Sequence, residues 1–373
     1  MAKKITILGA GNGGHAIAFD TALNGAEVML FEHPNFTKNL DGIREKGGIE
    51  AVDALHEEGI DVPAALSGFV KIAGLTSDPK EAMDFADVIV MVVPSFAQAT
   101  IFEMVMPHLR DGQTFVILPG NFASLLFKKM MAESGISANV TFAETVSIPY
   151  AVRIIGPGQI FIMGKKTAFS LASLPGSAIN DVCQTLKDVL LLKLIPLANV
   201  IEAGFSNPNM IIHVPTATLN MGAMESREGK IQFYREGASD TVSKVLEKMD
   251  SERVEIGAAL GLKLITFYEA VNTFYSLDMK SIRDFTLNTP IHNNMPNDSP
   301  KSPKERYITE DCPFLLVPVH EFAQLVNVPC PAIESIIKID NIYNDTDYFK
   351  VGRTLDVIGL KGMSPEEIIA HVS

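Results

Sequence analysis

The chain contains 373 residues, enough for two domains of ordinary size, and its 47% hydrophobic content can form a sizeable core. The formal net charge of −13 argues against non-specific nucleic-acid binding and against docking on an anionic membrane surface. The apolar runs are of strand length, too short to span a bilayer, and the first strand follows no secretory signal pattern. The three cysteines are scattered, without metal-ligand spacing, so we expect reduced thiols, no metal and a cytoplasmic location.

The first predicted strand, residues 4–9, runs into a glycine-rich turn that leads directly into a helix. This turn matches the pattern G-x-G-x-x-G. In a dinucleotide-binding turn, the first glycine permits a tight turn, the second lets the backbone approach a pyrophosphate, and the third lets the helix pack against the strand. The helix N-terminus then offers N–H groups to the phosphates. We therefore expect a dinucleotide to bind at Gly9, Ala10, Gly11, Asn12, Gly13 and Gly14.

The second predicted strand, residues 26–32, ends in Glu32, which lies 18 residues after Gly14. An acidic side chain at this place accepts hydrogen bonds from the adenine ribose hydroxyls. A carboxylate also repels the 2′-phosphate of NADP, whose sites usually contain an arginine. Lys38 follows, but no arginine is close by in the sequence, so the pattern favours NAD over NADP.

The rest of the first half alternates strands with amphipathic helices, which predicts a parallel sheet covered by helices on both faces. Further strands are predicted at 87–93, 114–119, 140–144 and 190–197, and helices at 96–108, 122–132 and 176–187. Residues 47–78 are less regular and resemble an insertion with short strands at 49–54 and 69–75, and residues 152–163 are typical of a hairpin. Pro94 and Ser95 follow a strand at its carboxyl end, where ligands bind in such sheets, so we expect them to contact the cofactor.

After about residue 199, strand-like segments nearly vanish and helical periodicity takes over. Helices are predicted at 239–261, where Gly261 provides a C-terminal stop, and at 315–326 and 331–343. A long polar segment at 288–304 reads as a loop. We therefore predict an α/β chain with a Rossmann-type doubly wound domain at 1–198 and an all-helical substrate and catalytic domain at 199–373.

Three residues of the second half are candidates for chemistry, and each has a simpler interpretation. His213 lies among apolar residues and suits either a buried core histidine or a group that transfers protons near neutral pH. Asp311 precedes an apolar helix, where an acid can stabilise the helix start or orient a histidine. Arg306 suits either a surface charge or a bidentate carboxylate ligand. Spacing alone does not decide among these interpretations.

The whole chain resembles the octopine/nopaline-type opine dehydrogenases and is especially similar to the bacterial N-(1-carboxyethyl)norvaline dehydrogenases. The motifs that carry the resemblance are the glycine turn, Val92-Val93-Pro94, Glu144-Thr145, Asn209-Met210-Ile211-Ile212-His213-Val214-Pro215-Thr216, Arg306-Tyr307-Ile308-Thr309-Glu310-Asp311, Leu316-Val317-Pro318, Val326-Asn327-Val328-Pro329 and Gly352-Arg353-Thr354-Leu355. One departure is Val214, which separates His213 from Pro215 where the norvaline enzymes place proline directly after histidine.

The resemblance implies a helical domain of the 6-phosphogluconate dehydrogenase C-terminal type. It also implies NAD(H)-dependent reductive condensation of an amino acid with a 2-oxo acid such as pyruvate, and the reverse oxidation. His213 becomes the general acid–base residue paired with Asp311, and Arg306 a ligand of a substrate carboxylate. Glu144 and Thr145 become candidate substrate contacts, although ordinary polarity at a strand end explains them equally well. The apolar faces of the helical half are compatible with a homodimer.

Two alternatives stay open at this level. A single-substrate 2-oxo-acid reductase of the ketopantoate reductase type shares the two-domain plan but normally uses a catalytic lysine and NADPH, which Glu32 and the His213–Asp311 pair disfavour. A non-catalytic NAD(H)-binding sensor would not need His213, Arg306 and Asp311. The discriminating observation is whether NADH is consumed only when an oxo acid and an amine are both present.

Overall fold

A computed structural model describes residues 2–57, 60–289, 291–293 and 299–373. The chain divides into two compact units, Met1–Val200 and Ile201–Ser373. The first, here called the nucleotide unit, contains the strands, and the second, the helical unit, contains helices only in its described part. Among the described residues, no helix combines the length and the apolar character needed to cross a bilayer.

The described strands are β1 (Lys4–Leu8), β2 (Glu27–Phe31), β3 (Ile49–Ala51), β4 (Ala54–Glu57), β5 (Ile60–Pro63), β6 (Gly68–Val70), β7 (Gly74–Thr76), β8 (Val88–Met91), β9 (Thr114–Ile117), β10 (Thr141–Thr145), β11 (Tyr150–Gly156), β12 (Gln159–Lys165), β13 (Ala168–Leu174) and β14 (Lys193–Pro196). The helices of the nucleotide unit are α1 (Asn12–Leu23), α2 (Lys38–Lys46), α3 (Pro79–Phe85), α4 (Ser95–Val105), α5 (Ala123–Glu133) and α6 (Ile179–Leu186). Those of the helical unit are α7 (Val200–Phe205), α8 (Asn209–Ser226), α9 (Asp240–Ala259), α10 (Phe267–Tyr275), α11 (Ile282–Asn288), α12 (Arg306–Thr309), α13 (Val317–Leu325), α14 (Pro331–Asn344), α15 (Tyr348–Val351) and α16 (Pro365–Val372).

The main sheet has the order β14-β13-β10-β9-β8-β1-β2-β7. All of its pairings are parallel except that of β10 with β13. The central strand β8 is buried along its whole length, as its unbroken apolar sequence predicts for a strand covered on both faces. The Rossmann-type prediction is confirmed, but β13 was not predicted, and β7 joins the main sheet although its sequence was assigned to an insertion.

A second sheet, with the order β11-β12-β3-β6, contains the predicted hairpin and packs against α1. The Asn12 side chain at the start of α1 accepts a hydrogen bond from the Ile154 N–H at 2.8 Å. Farther along the same helix, the buried Asp20 carboxylate accepts hydrogen bonds from the Tyr150 hydroxyl and the Lys165 ammonium, each at 2.6 Å. The hairpin therefore holds α1 at both its start and its second half.

In the helical unit, the predicted helix at 239–261 is α9. The Ser239 side chain caps its N-terminus by accepting a hydrogen bond from the Val242 N–H, and Gly261 follows its end with a φ of +77°. The buried Glu252 carboxylate of α9 accepts hydrogen bonds from the Ala332 and Ile333 N–H groups at the start of α14. The hydrogen bonds of an internal acid thus join these two helices.

The other predicted helices of this unit are present with small differences at their ends. The segment at 315–326 begins with a π-helical turn, Cys312–Leu316, and continues as α13, while the segment at 331–343 is α14. The predicted loop at 288–304 follows α11, and its residues 290 and 294–298 lie outside the described part of the chain.

Asp340 on α14 is a fully buried carboxyl group in the core of the helical unit. Its Oδ1 accepts a hydrogen bond from the Thr218 hydroxyl of α8 at 2.7 Å. Burial raises the pKa of Asp340 to about 7, and hydrogen bonds from Thr218 and Cys312 oppose that rise. Asp340 therefore joins α8 and α14 as a largely protonated acid below neutral pH.

Candidate active site

The glycine turn joins β1 to α1 through contacts that explain its glycines. Gly9 has a φ of +109°, and a Cβ at this residue would lie 2.5 Å from the Val92 carbonyl oxygen. A Cβ at Gly14 would overlap the Gly9 carbonyl. At Gly11, a Cβ would meet no described atom within 4 Å, so the backbone faces open space at this point. The turn is closed towards the protein and open where a pyrophosphate would approach.

Glu32 connects the glycine turn to the end of β2. Its Oε2 accepts a hydrogen bond from the Ala10 N–H and its Oε1 accepts one from the His33 N–H, both at 2.8 Å. The Asn39 side chain donates to the Ala10 carbonyl at 2.8 Å, so both backbone polar groups of Ala10 are fixed. Each carboxylate oxygen of Glu32 has a second acceptor position, which suits a ribose hydroxyl. The residues present therefore fit a dinucleotide at this turn.

Four predicted residues of the nucleotide unit lie at the carboxyl ends of β8 and β10. Pro94 precedes α4, and Ser95 is buried at the first position of that helix, where its hydroxyl accepts a hydrogen bond from the Asn121 side chain at 2.9 Å. The Thr145 hydroxyl is buried and donates to the Ser147 carbonyl at 2.8 Å. These side chains hold the loops that follow the strands, at the edge where open α/β sheets bind their ligands.

Glu144 is 0% exposed, and both oxygens of its carboxylate accept hydrogen bonds from other protein groups. Oε2 accepts a hydrogen bond from the Phe122 N–H, and Oε1 accepts bonds from the Ser124 N–H and hydroxyl. These donors lie at the start of α5, where a negative charge stabilises the helix. The predicted contact of Glu144 with substrate would require the carboxylate to leave these partners, so its position indicates a structural role.

In the helical unit, His213 and Asp311 meet although 98 residues separate them. His213 lies on the second turn of α8, and its Nδ1 is 2.8 Å from Asp311 Oδ2. The His213 side chain is 19% exposed and that of Asp311 is 8% exposed. Asp311 makes no side-chain cap at the π-helical turn that follows it, so the simpler capping role is not observed. Burial raises the pKa of Asp311, and the hydrogen bond from His213 opposes that rise.

Since a carboxylate only accepts hydrogen bonds, the His213–Asp311 contact assigns a proton to Nδ1 and leaves the lone pair on Nε2. Nε2 lies 3.4 Å from the Tyr234 hydroxyl. The rings of Tyr307 and Phe233 pack against the imidazole, with centroids 4.7 and 6.0 Å away. The aromatic neighbours Phe233 and Tyr234 were not predicted from the sequence. They belong to a π-helical turn, Phe233–Gly237, which has no periodic sequence signal.

Arg306 begins α12, the short helix that leads to Asp311. Its Nε donates to Glu310 Oε2 at 2.6 Å, and its Nη2 forms an ion pair with the same oxygen at 2.6 Å. The Arg306 side chain is 64% exposed while Glu310 is buried, so the remaining N–H groups of the guanidinium are accessible. Among the described residues, no group of three or more His, Cys, Asp or Glu side chains could hold a metal ion.

A dinucleotide-binding turn in one unit and a carboxylate-oriented histidine in a following helical unit define a nicotinamide-dependent dehydrogenase. Residues 196–344 match the family model of the NAD/NADP octopine/nopaline dehydrogenase, alpha-helical domain, and residues 4–120 match that of the NAD-dependent glycerol-3-phosphate dehydrogenase N-terminus. An opine dehydrogenase of Arthrobacter sp. (strain 1C) is 31% identical over 371 residues, which cover 99% of each chain. The chain belongs to the opine dehydrogenase family and is an NAD(H)-dependent oxidoreductase acting on CH–NH donors.

Solved structures share the fold over the full chain. Octopine dehydrogenase in complex with NADH and agmatine has a TM-score of 0.75 at 19% identity, covering 99% of this chain and 98% of that one. Yersinopine dehydrogenase with bound NADP⁺ has a TM-score of 0.70 at 14% identity, covering 100% of this chain and 98% of that one. The predicted family and the predicted α/β fold with a helical C-terminal unit are confirmed.

Proposed function

We propose that the protein condenses an amino acid with a small 2-oxo acid such as pyruvate and reduces the resulting imine, and that it also catalyses the reverse oxidation. The observation that carries this proposal is the 2.8 Å contact between His213 and Asp311 in the helical unit. We assign cofactor binding to residues 1–198 and substrate binding and catalysis to residues 199–373.

His213 and Asp311 supply the proton transfers of this reaction. Asp311 holds the imidazole and stabilises it when it is charged, while Nε2 takes a proton from the attacking amine and returns one to the oxygen that leaves as water. Nicotinamide supplies the hydride that reduces the imine carbon. The reverse reaction uses the same proton transfers in the opposite order, because oxidation of the secondary amine and hydrolysis of the imine retrace these steps.

Arg306 supports recognition of a carboxylate, which both substrates carry. A guanidinium binds a carboxylate through parallel N–H donors, and the contact with buried Glu310 fixes the orientation of its plane. We therefore assign Arg306 to a substrate carboxylate. Thr145 remains a candidate substrate contact from the nucleotide unit.

We propose NAD rather than NADP as the preferred cofactor. Glu32 stands at the end of β2, where its carboxylate favours a free ribose hydroxyl and repels a 2′-phosphate. Glu32→Ser removes that repulsion and is expected to narrow the preference, measured as the ratio of kcat/KM for NADH and NADPH. A wild-type preference for NADPH would contradict this assignment.

A homodimer is proposed because apolar side chains of the helical unit are exposed. Leu219 on α8 and Ile342 on α14 are exposed, and these two helices pack against each other. An Ile342→Asp variant should shift the mass measured by light scattering from that of two chains to that of one. A wild-type mass of a single chain would contradict the proposal.

A cytoplasmic location is proposed from the cysteines. Cys183, Cys312 and Cys330 carry free thiols, which suits a reducing compartment. Immunodetection in fractionated cells tests this location, and recovery outside the cytoplasmic fraction would contradict it.

The reaction itself is tested by following NADH absorbance with pyruvate alone, with amino acids alone, and with both together. Oxidation that requires both substrates is the expected result, and the fastest amino acid identifies the product. Oxidation with pyruvate alone would instead indicate a single-substrate oxo-acid reductase. NADH binding without turnover for any pair would indicate a cofactor sensor.

A further inference from the structure

The Tyr234 hydroxyl lies 3.4 Å from His213 Nε2 and, among the described residues, is the only hydroxyl in contact with that nitrogen. Because Asp311 occupies Nδ1, Nε2 is the nitrogen left to exchange protons with a substrate. An unprotonated Nε2 accepts hydrogen bonds, so the Tyr234 hydroxyl is the donor in this contact. The three side chains form a continuous array from Asp311 through His213 to Tyr234.

The position of Tyr234 relative to His213 is fixed by backbone contacts. Asn220 lies on α8, two turns after His213, and its side chain donates to the Gly237 carbonyl at 2.9 Å. Arg283 on α11 donates to the carbonyl of Ala238 at 2.7 Å. The Asn220 contact ties the π-helical turn Phe233–Gly237 to the helix that carries the imidazole, and the Arg283 contact anchors the residue that follows this turn to α11.

The surroundings of the phenol ring keep its hydroxyl protonated. The ring packs against Phe233 and His292, with centroid distances of 5.2 and 4.7 Å. Burial raises the pKa of Tyr234 well above its usual range, and Asp311 adds to the rise. At neutral pH the hydroxyl is therefore a donor and carries no charge.

The geometry points to Tyr234 as a positioning residue for the acid–base reaction: its hydroxyl donates to His213 Nε2 and holds the imidazole with that lone pair ready to accept a proton. This role rests on the proposed function of His213. Before substrate binds, the hydroxyl satisfies a partly buried nitrogen that would otherwise lack a donor. When the amine is bound, its N–H replaces the Tyr234 O–H at Nε2, and the proton that Nε2 takes comes from the amine.

Tyr234→Phe tests this role because it removes one hydroxyl and keeps the ring. The matched control is Tyr275→Phe, which removes a hydroxyl from another half-buried tyrosine whose ring packs against His292, with a centroid distance of 5.6 Å. We expect kcat of Tyr234→Phe to fall about 10- to 100-fold, with KM values and NADH affinity changed less than about twofold. Tyr275→Phe should keep wild-type kcat.

A second measurement does not depend on turnover. In protein labelled with ¹⁵N-histidine, the His213 Nε2 resonance, assigned by its loss in His213→Gln, should move in Tyr234→Phe and stay in place in Tyr275→Phe. An unmoved resonance would overturn the contact, and a moved resonance with unchanged kcat would overturn its role in the reaction. If no pair of oxo acid and amino acid causes the wild type to oxidise NADH, the proposed function fails. The His213 resonance still decides whether Tyr234 positions His213.

Discussion

Replacing the buried Asp340 by asparagine should change how the stability of the helical unit depends on pH. Asparagine has nearly the same shape and can still accept the hydrogen bond from Thr218, but it does not titrate over the relevant range. Burial raises the pKa of Asp340 from 3.8 to about 7. The wild-type acid must lose its proton inside the core as the pH rises, whereas the variant has no such proton to lose.

The direction of this pH dependence follows from comparing the protonation of Asp340 in the folded and unfolded states. Between about pH 4 and pH 7, Asp340 is protonated in the folded protein and ionised in the unfolded chain, so the folded state binds more protons. The stabilisation is complete below the unfolded pKa and is lost as the pH rises through the folded value. A shift of one unit corresponds to about 1.4 kcal/mol, so this group costs the wild type about 2 kcal/mol between pH 5 and pH 7.5.

The assay is urea denaturation of wild type and Asp340→Asn at pH 5 and pH 7.5. The free energy of unfolding of the variant, relative to wild type, should rise by about 2 kcal/mol over this interval. All other titrating groups are shared and cancel in the comparison. Asp278→Asn, which changes a carboxylate that is 86% exposed, is the control and should show no such rise. A relative stability that is the same at both pH values would refute the reasoning.

Three further predictions concern the other groups. His213→Ala should reduce turnover at least 100-fold while leaving NADH binding, measured by fluorescence, nearly intact; surviving turnover would contradict the acid–base assignment. Glu144→Ala leaves buried N–H groups without acceptors and should lower the free energy of unfolding by about 3 kcal/mol in calorimetry, whereas a raised substrate KM without lost stability would favour the substrate role. Burial lowers the pKa of Lys166 to about 7, so the unfolded chain binds more protons than the folded protein between about pH 7 and 10.5. The melting temperature of the wild type should therefore rise with pH over this range, and Lys166→Met should abolish that rise.

Local sequence signals predicted the parts of the fold that depend on neighbouring residues. The glycine turn and the apolar run of β8 are encoded within a few residues, so their structure could be predicted directly. Strand β13 was missed because Ser170 and Ser173 interrupt its apolar sequence, so it shows neither the unbroken apolar run of β8 nor the alternation that marks a half-buried strand, although every position is buried. Its antiparallel pairing with β10 depends on contacts that a pattern of spacing does not contain.

The candidate site shows the same limit. His213 and Asp311 were selected because of a family resemblance, since nothing in their local sequence indicates a contact across 98 positions. The partners of Glu144 are two backbone N–H groups and one hydroxyl at the start of α5, about 20 residues earlier in the chain, and residue types alone do not reveal this contact. Tyr234 lies on an irregular turn between two helices, so no helical periodicity directs its hydroxyl towards the imidazole.

The contacts between α1 and the hairpin have a consequence for how the protein matures on the ribosome. Helix α1 is synthesised early, but the Tyr150 hydroxyl that binds its Asp20 carboxylate arrives 130 residues later, a delay of about 10 s at typical elongation rates. During that interval Asp20 lacks its hydrogen-bond partners Tyr150 and Lys165 from the hairpin. Docking of the hairpin thus completes the contacts of α1, the helix that follows the glycine turn, and a fragment cut at residue 120, where the N-terminal family match ends, would lack those contacts.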